Sequence, residues 1–396
     1  MIAGVLVFIV AILIVIMVHE TGHFLVAKLF GFKATKFFLG FGPTLWSRQK
    51  GETEYGIKAL PLGGFVKIIG MSPYEEIEPQ DEPRSYPNKP RWQRALLLVA
   101  GSATHWVVAF VLLVVAAAAF GFPVREPTNE VAIVEEKILD GVETAAWDAG
   151  FQPEDRIVAV GGRPTNDWAE IVDYIHAHGG EVGVFTVERD GERMEIDALL
   201  GEAIFKKRND ELVVAASPGE QLTQEPASDE YVAGFLGVSP ELAVEKRALG
   251  DAIVFAGGSV ARFTGASITT LPQVFAPVFN GELWRSLTEE GDRGQEGAVG
   301  LVGASRVAGH AAEAGMYAEL LSFIAGLTIF IGLMNLLPLP PLDGGHLAVL
   351  AYEKITGRTV DVRKLIPLAA AVISFFVILF VAVLYLDLAR PIDIPF

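Results

Sequence analysis

The sequence has no cysteine among its 396 residues. That excludes disulfide staples and every metal site built on thiolate. Positive charge is scarce as well, with 31 Lys and Arg facing 48 Asp and Glu for a formal net charge of −17. A chain of that sign repels phosphate backbones, which argues against nucleic acid as a partner. Internal repeats are missing. Charge of either sign nearly vanishes from four long stretches, although 20% of all residues are charged and 51% are hydrophobic. This mixture is too apolar for a soluble protein and too charged for one immersed in lipid. It implies a membrane protein with a sizeable aqueous part.

The four apolar stretches are each long enough for a helix that crosses a bilayer, which takes about 20 residues. The expected fold is therefore a multi-pass α-helical membrane protein with four transmembrane helices at residues 1–31, 95–122, 318–346 and 364–387. The first lacks a basic leader and a small-residue cleavage site, so it is read as retained. Orientation follows from the basic residues. Lys28, Lys33, Lys36, Arg48, Lys50, Lys58, Lys67, Arg91 and Arg94 lie between the first two spans, and Lys354, Arg358, Arg363 and Lys364 between the last two. The long segment from Arg125 to Tyr317 is acidic, with 34 Asp and Glu against 15 Lys and Arg. The positive-inside rule places both short connections in the cytoplasm and both termini outside.

In residues 32–71, which include "KFFLGFGPTLWSRQKGETEYGIKALPLGGFVKIIGM", the half from Glu54 to Leu60 alternates polar and apolar positions, and "RQKGE" is a plausible turn between two extended arms. Their Phe, Leu and Gly content suits a β-hairpin re-entering the membrane beside protein or a wet cavity. A surface hairpin lying against the headgroups is the alternative. Residues 72–94 are proline-rich and charged, and read as a cytoplasmic loop. Residues 129–201 give a turn, strand, turn, helix at Trp168 to His176, and a hairpin about Asp190-Gly191. That order resembles a PDZ domain, a small α+β fold that captures peptides along a sheet edge. Another small α+β domain is the alternative. Within residues 202–316, "LGDAIVFAGGSVARFTGASITTLPQVFAPVF" is apolar but broken by Gly and Pro, fitting interfacial helices or packing under the small domain, and "GELWRSLTEEGDRGQEG" is a polar loop.

The chemistry sits in "HETGH". On a helix His19 and His23 are four residues apart and share a face, so both imidazoles can reach one metal ion. Glu20 lies beside them, placed to take a proton from an attacking water. Ionisable groups inside a spanning helix are expensive and are functional by default. A hydrolytic zinc site takes three protein ligands, and the third should arrive on another span at the same depth. About 18 residues at 1.5 Å each put His19 roughly 27 Å along its helix. Asp343 reaches a similar depth on the third span, in "MNLLPLPPLDGGH", where Pro338, Pro340 and Pro341 break the helix. Gly344 and Gly345 permit close backbone approach. A simple helix cap is the other reading of Asp343.

"HETGH" in a first spanning helix, "FFLGFGP", "PLGGFVKIIGM" and "NLLPLPPLDGG" together resemble the site-2 protease family of intramembrane zinc metalloproteases. The subgroup it is similar to carries an extracytoplasmic PDZ-like domain and is typified by the regulator of sigma-E protease. The resemblance implies a Zn2+ cofactor held by His19, His23 and Asp343, a catalytic Glu20, and a substrate-binding role for Asn335. It implies a bacterial plasma membrane enzyme, multi-pass in the lipid bilayer. Such an enzyme cuts transmembrane segments of membrane-anchored proteins, anti-sigma factors among them, that another protease has already trimmed. One departure stands out. Family members often carry Gly-Pro-x-x-Asn in the second span, where "GSATHW" puts Ser102 for the proline and His105 for the asparagine. His105 can hydrogen-bond near the site or be satisfied by a backbone carbonyl; it is not read as a ligand. His346, after the Gly pair, is read as structural or as a partner of the ligands rather than as a ligand. The rival readings are a zinc hydrolase acting on a lipid-linked substrate, a metal transporter, and a non-catalytic receptor.

Overall fold

A computed structural model describes residues 2–72, 74–138, 141–208, 212–220, 222, 224–288 and 300–389. Four helices are long and apolar enough to cross a membrane: Phe8–Leu29, Arg91–Phe120, Tyr317–Asn335 and Arg363–Ala389. The chain divides into two compact units, one built from Met1–Phe122 with Lys246–Phe396 and the other from Pro123–Glu245.

In the first unit, α1 (Ile2–Leu29) and α2 (Arg91–Val115, ending in a π-turn over Ala116–Phe120) pack closely. A Cβ on Gly22 would lie 2.4 Å from the Ala100 carbonyl oxygen, so the crossing needs glycine there. α5 (Leu249–Phe279) packs on α2, with Trp106 Nε1 donating to Thr264 Oγ1 at 3.0 Å. α5 stays helical through Pro272 and Pro277. The apolar segment interrupted by Gly and Pro is thus one long helix, with its buried residues Ala252, Ala256 and Ser259 in the N-terminal half. α6 (Glu282–Thr288) turns the first half of the expected polar loop into helix; residues 289–299 of that loop lie outside the described residues.

α7 (Leu301–Glu313) packs against α1, and α8 (Tyr317–Asn335) against α2. α9 (Asp343–Thr356) begins at the predicted third ligand, and α10 (Ile366–Ala389) ends the described chain. The expected single span over 318–346 is therefore α8, a short turn and the start of α9. Buried Asp387 on α10 accepts from the Gly300 and Gly303 amides at 3.3 and 2.9 Å. A carboxylate there meets the orphan N–H groups and positive dipole end of α7.

Between α1 and α2 lies the hairpin of β1 (Ala34–Lys50) and β2 (Thr53–Ile68). It folds back on itself: Phe37 pairs with both Tyr55 and Val66, and Leu39 with both Ile57 and Gly64. Gly40 and Gly42, at φ 88° and 81°, supply the left-handed backbone for the bend in β1. The border of the sheet formed by residues 64–68 runs along α1, where a Cβ on Gly64 would lie 3.1 Å from Glu20 Cγ.

The second unit centres on a six-stranded sheet. β3 (Phe122–Val134) is followed by the short pair β4 (Lys137–Ile138) and β5 (Val142–Glu143), then α3 (Ala145–Ala149). β6 (Arg156–Val160), β7 (Arg163–Pro164) and α4 (Trp168–Ala177) precede the hairpin of β8 (Val182–Arg189) and β9 (Glu192–Leu199). The hairpin turns at Asp190-Gly191, both at positive φ as a tight turn needs. β10 (Gly201–Lys206), β11 (Leu212–Ala215) and β12 (Glu230–Phe235) make a small sheet of order β11-β10-β12. β13 (Val238–Glu245) returns to the large sheet, whose order is β13-β3-β6-β8-β9 with β7 against β6. Phe151, Ile157, Ile171, Phe185 and Val187 fill the core beneath it. Asp155, fully buried, accepts from Arg189 Nε and Nη2 at 2.6 and 2.7 Å.

At the hairpin tip, Arg84 grips Glu52 with two bonds of 2.7 and 2.8 Å, and Lys28 at the end of α1 adds a third of 2.6 Å. The Arg84 hydrogen bonds, joined by Lys28, hold the Glu52 carboxyl down at about 2 from its ordinary 4.5. A depressed carboxylate pKa gives stabilisation that is full above about pH 4.5 and lost as pH falls toward 2. A carboxyl titration of Glu52 by carbon NMR is expected to show the low midpoint, and Arg84→Ala to move it upward. A wild-type midpoint at 4.5 contradicts the clamp.

Candidate metal centre

α1 carries "HETGH" on the face that meets α2, so His19 and His23 stack four residues apart and both are buried. His23 Nδ1 donates to the Leu97 carbonyl of α2 at 2.8 Å. A carbonyl only accepts, so this bond puts the His23 proton on Nδ1 and leaves Nε2 with its lone pair. His19 Nδ1 lies 3.0 Å from His105 Nε2, also on α2. Between the two imidazoles and α2 there is no room for a side chain. A Cβ on Gly101 would sit 2.1 Å from His23 Nε2 and 2.8 Å from His19 Cε1.

Asp343 arrives from the far side as the first residue of α9. Its approach depends on the turn between α8 and α9, which folds tightly under the helix start. A Cβ on Gly344 would meet the Leu336 carbonyl at 2.1 Å, and one on Gly345 the Pro340 nitrogen at 2.5 Å. The glycine pair thus lets α9 pack on its own incoming turn.

Three atoms converge. His19 Nε2 and His23 Nε2 are 3.1 Å apart, and Asp343 Oδ2 is 3.3 Å from each. Despite those distances, Oδ2 is buried and accepts no well-aligned hydrogen bond from the described residues. Leaving a buried polar atom unmet costs about 1–3 kcal/mol, so Asp343 Oδ2 needs a compensating partner. A tetrahedral zinc ion with bonds of about 2.0–2.1 Å separates its ligand atoms by about 3.3 Å. The sides of this triangle fit that spacing. His19, His23 and Asp343 are the group of candidate ligands found among the described residues.

Glu20 borders the same cavity of about 150 Å³, together with Phe65, Val66, Met71, Leu97 and Leu98. Its Oε2 accepts from the Val66 amide at 3.0 Å, which ties the carboxylate to the border of the hairpin sheet. Asn335 is not brought into this cavity: it is the last residue of α8, half-buried, before the turn that leads to Asp343. His346 is half-buried on the first turn of α9 and holds none of the three converging atoms.

Several contributors to the site escaped the sequence reading. The Leu97 carbonyl and the Val66 amide are backbone groups, which no residue type announces. Gly101 did carry a signal, being a small residue four positions before His105 on a helix expected beside the metal. The His105 bond to His19 settles an open choice: the ring faces the outer nitrogen of His19 rather than a backbone carbonyl.

The model of peptidase family M50 matches residues 7–381. The chain is 33% identical over 381 residues to zinc metalloprotease Rip1 of Mycolicibacterium smegmatis, covering 92% of this chain and 89% of that one. It is 30% identical over 417 residues to zinc metalloprotease Rip1 of Mycobacterium tuberculosis, covering 99% of this chain and 98% of the relative. The "HETGH" helix and the LDGG turn both fall inside the matched span. The chain belongs to peptidase family M50 and is a zinc metalloprotease with four helices fit to cross a membrane.

Proposed function

We propose that the enzyme hydrolyses peptide bonds inside transmembrane segments of membrane proteins already trimmed by another protease, anti-sigma factors among them, in regulated intramembrane proteolysis. One observation carries the reading: the converging His19, His23 and Asp343 and the neighbouring Glu20 lie against a spanning helix and a sheet border able to hold an extended peptide. The ligands are then His19 Nε2, His23 Nε2 and Asp343 Oδ2. Zinc bound there would polarise the scissile carbonyl and lower the pKa of a water molecule.

The chain's own residues do the rest. A peptide bond in a membrane helix is shielded by its own hydrogen bonds, so the substrate must be unwound first. The border strand, residues 64–68, offers backbone groups to a strand that has lost its helical partners. Its Val66 amide is held by Glu20 until such a strand arrives. Glu20 accepts the proton of the attacking water and passes it to the leaving amine. Asn335, at the end of α8, steadies the unwound strand. Phe41, Leu45, Trp46, Ile57 and Leu60 leave the hairpin with an exposed apolar surface, which supports a re-entrant loop in the bilayer. Phe65, Val66, Ile68, Met71, Leu97 and Leu98 line the cavity beside its polar groups, which suits a membrane-borne peptide.

The unit from Pro123 to Glu245 is assigned a PDZ-like role that extends the expected 129–201 domain through β13. β13 ends the large sheet and is a natural border for peptide pairing. This unit would exclude substrates with bulky outer domains. The enzyme is placed in the plasma membrane of a bacterium, with both termini and this unit outside and residues near Gly51 and Gly357 in the cytoplasm.

Orientation can be read with single cysteines, since the natural chain has none. Asp190→Cys is expected to react with an impermeant reagent in intact cells, and Gly51→Cys and Gly357→Cys only after lysis. The opposite pattern overturns the placement. For the chemistry, Glu20→Gln keeps the size of the side chain but cannot accept a proton. Cleavage of a membrane-anchored, pre-trimmed test substrate is expected to fall by more than about 10²–10⁴-fold, with zinc content unchanged. Near wild-type cleavage removes Glu20 from the role of base. Wild-type activity on a lipid-linked substrate and on no peptide hands the site to the rival hydrolase.

A further inference from the structure

We propose that His105 is a positioning residue that selects which nitrogen His19 presents to zinc. The inference rests on the reading of His19 as a ligand. A neutral imidazole has one N–H and one lone pair, and a partner on the outer nitrogen decides which is which. For His19 Nε2 to aim its lone pair at the point shared with His23 and Asp343, the proton must sit on Nδ1. That N–H needs an acceptor, and His105 Nε2 lies 3.0 Å away.

The two histidine ligands are steadied in different ways. His23 leans on the Leu97 carbonyl, a group that can only accept. His19 leans on a second imidazole, which accepts through Nε2 only if its own proton sits on Nδ1. That atom, His105 Nδ1, is buried and has no hydrogen-bond partner among the described residues. His105 itself is 1% exposed. α8 closes on it from the other side, where a Cβ on Gly332 would lie 2.8 Å from His105 Cβ. A residue that merely filled this space would be apolar and would leave no orphan nitrogen. Histidine here spends an unmet N–H to keep the ligand's lone pair aimed.

The test measures zinc affinity of the purified full-length enzyme by competition with a chelator, using His105→Gln and His105→Leu. The Gln side chain can place its amide oxygen where the imidazole Nε2 stood; Leu has similar bulk and no acceptor. His105→Leu is expected to weaken zinc binding about 10- to 100-fold, as loss of such outer partners does, while His105→Gln stays close to wild type. Equal affinities for the two variants overturn the proposal and leave His105 a packing residue. His19→Ala serves as reference: if it keeps wild-type zinc affinity, the ligand reading itself falls. If His19→Ala loses zinc and His105→Leu does not, only the positioning role fails. Should His105→Leu not fold, nitrogen NMR of histidine-labelled wild-type enzyme decides the matter. It is expected to show His105 protonated at Nδ1 and bare at Nε2, and the reverse tautomer overturns the proposal.

Discussion

Everything around the centre follows from one constraint: three polar atoms must meet within 3.1–3.3 Å inside a bundle of otherwise apolar helices. In such surroundings the helices gain little from expelling water when they pack, so close contact must come from small residues and paired polar groups. That is what is found. Gly22 brings α1 against the Ala100 carbonyl, Gly101 opens space for both imidazoles, and the Gly344-Gly345 pair lets α9 turn in sharply enough to deliver Asp343. The outer nitrogens of the imidazoles are each met by α2, through Leu97 and His105. α2, which carries none of the three candidate ligands, therefore orients both histidines.

The second organising element is the hairpin. Its border strand meets α1 at Gly64 and Val66, and the Val66 amide engages the carboxylate of Glu20. A sheet border normally invites pairing with another strand. Here that border and the group proposed as general base share a cavity with the candidate ligands. In the proposed reaction, unwinding a substrate helix and attacking its backbone would be steps at one place, linked through the single hydrogen bond between Val66 and Glu20. The Glu52 clamp by Arg84 and Lys28 ties the far end of the same hairpin to α1 and to the loop before α2.

How much was legible in the sequence depended on whether the physics was local. "HETGH" could be read because i and i+4 share a helix face whatever surrounds it. The Asp343 turn could be read because proline ends a helix and glycine pairs permit close approach. The Asp190-Gly191 hairpin could be read from its turn chemistry alone. Non-local pairings were opaque. β13 lies more than a hundred residues from the start of β3, its neighbour in the sheet, and nothing in "VSPELAVE" names that partner. The continuity of α5 through Pro272 and Pro277 runs against propensity, which alone would end a helix at proline. The choice between two partners for His105 depended on the angle at which α1 and α2 cross, which no motif encodes.

The central claim is that zinc sits on two imidazoles and one carboxylate, with His105 and His346 outside the coordination shell. X-ray absorption at the zinc edge tests it on the intact enzyme, because imidazole rings give outer-shell scattering that carboxylates lack. The account predicts scattering from two imidazoles, with the remaining neighbours oxygen. A signal from three or more imidazoles would put His105 or His346 on the metal and contradict the account.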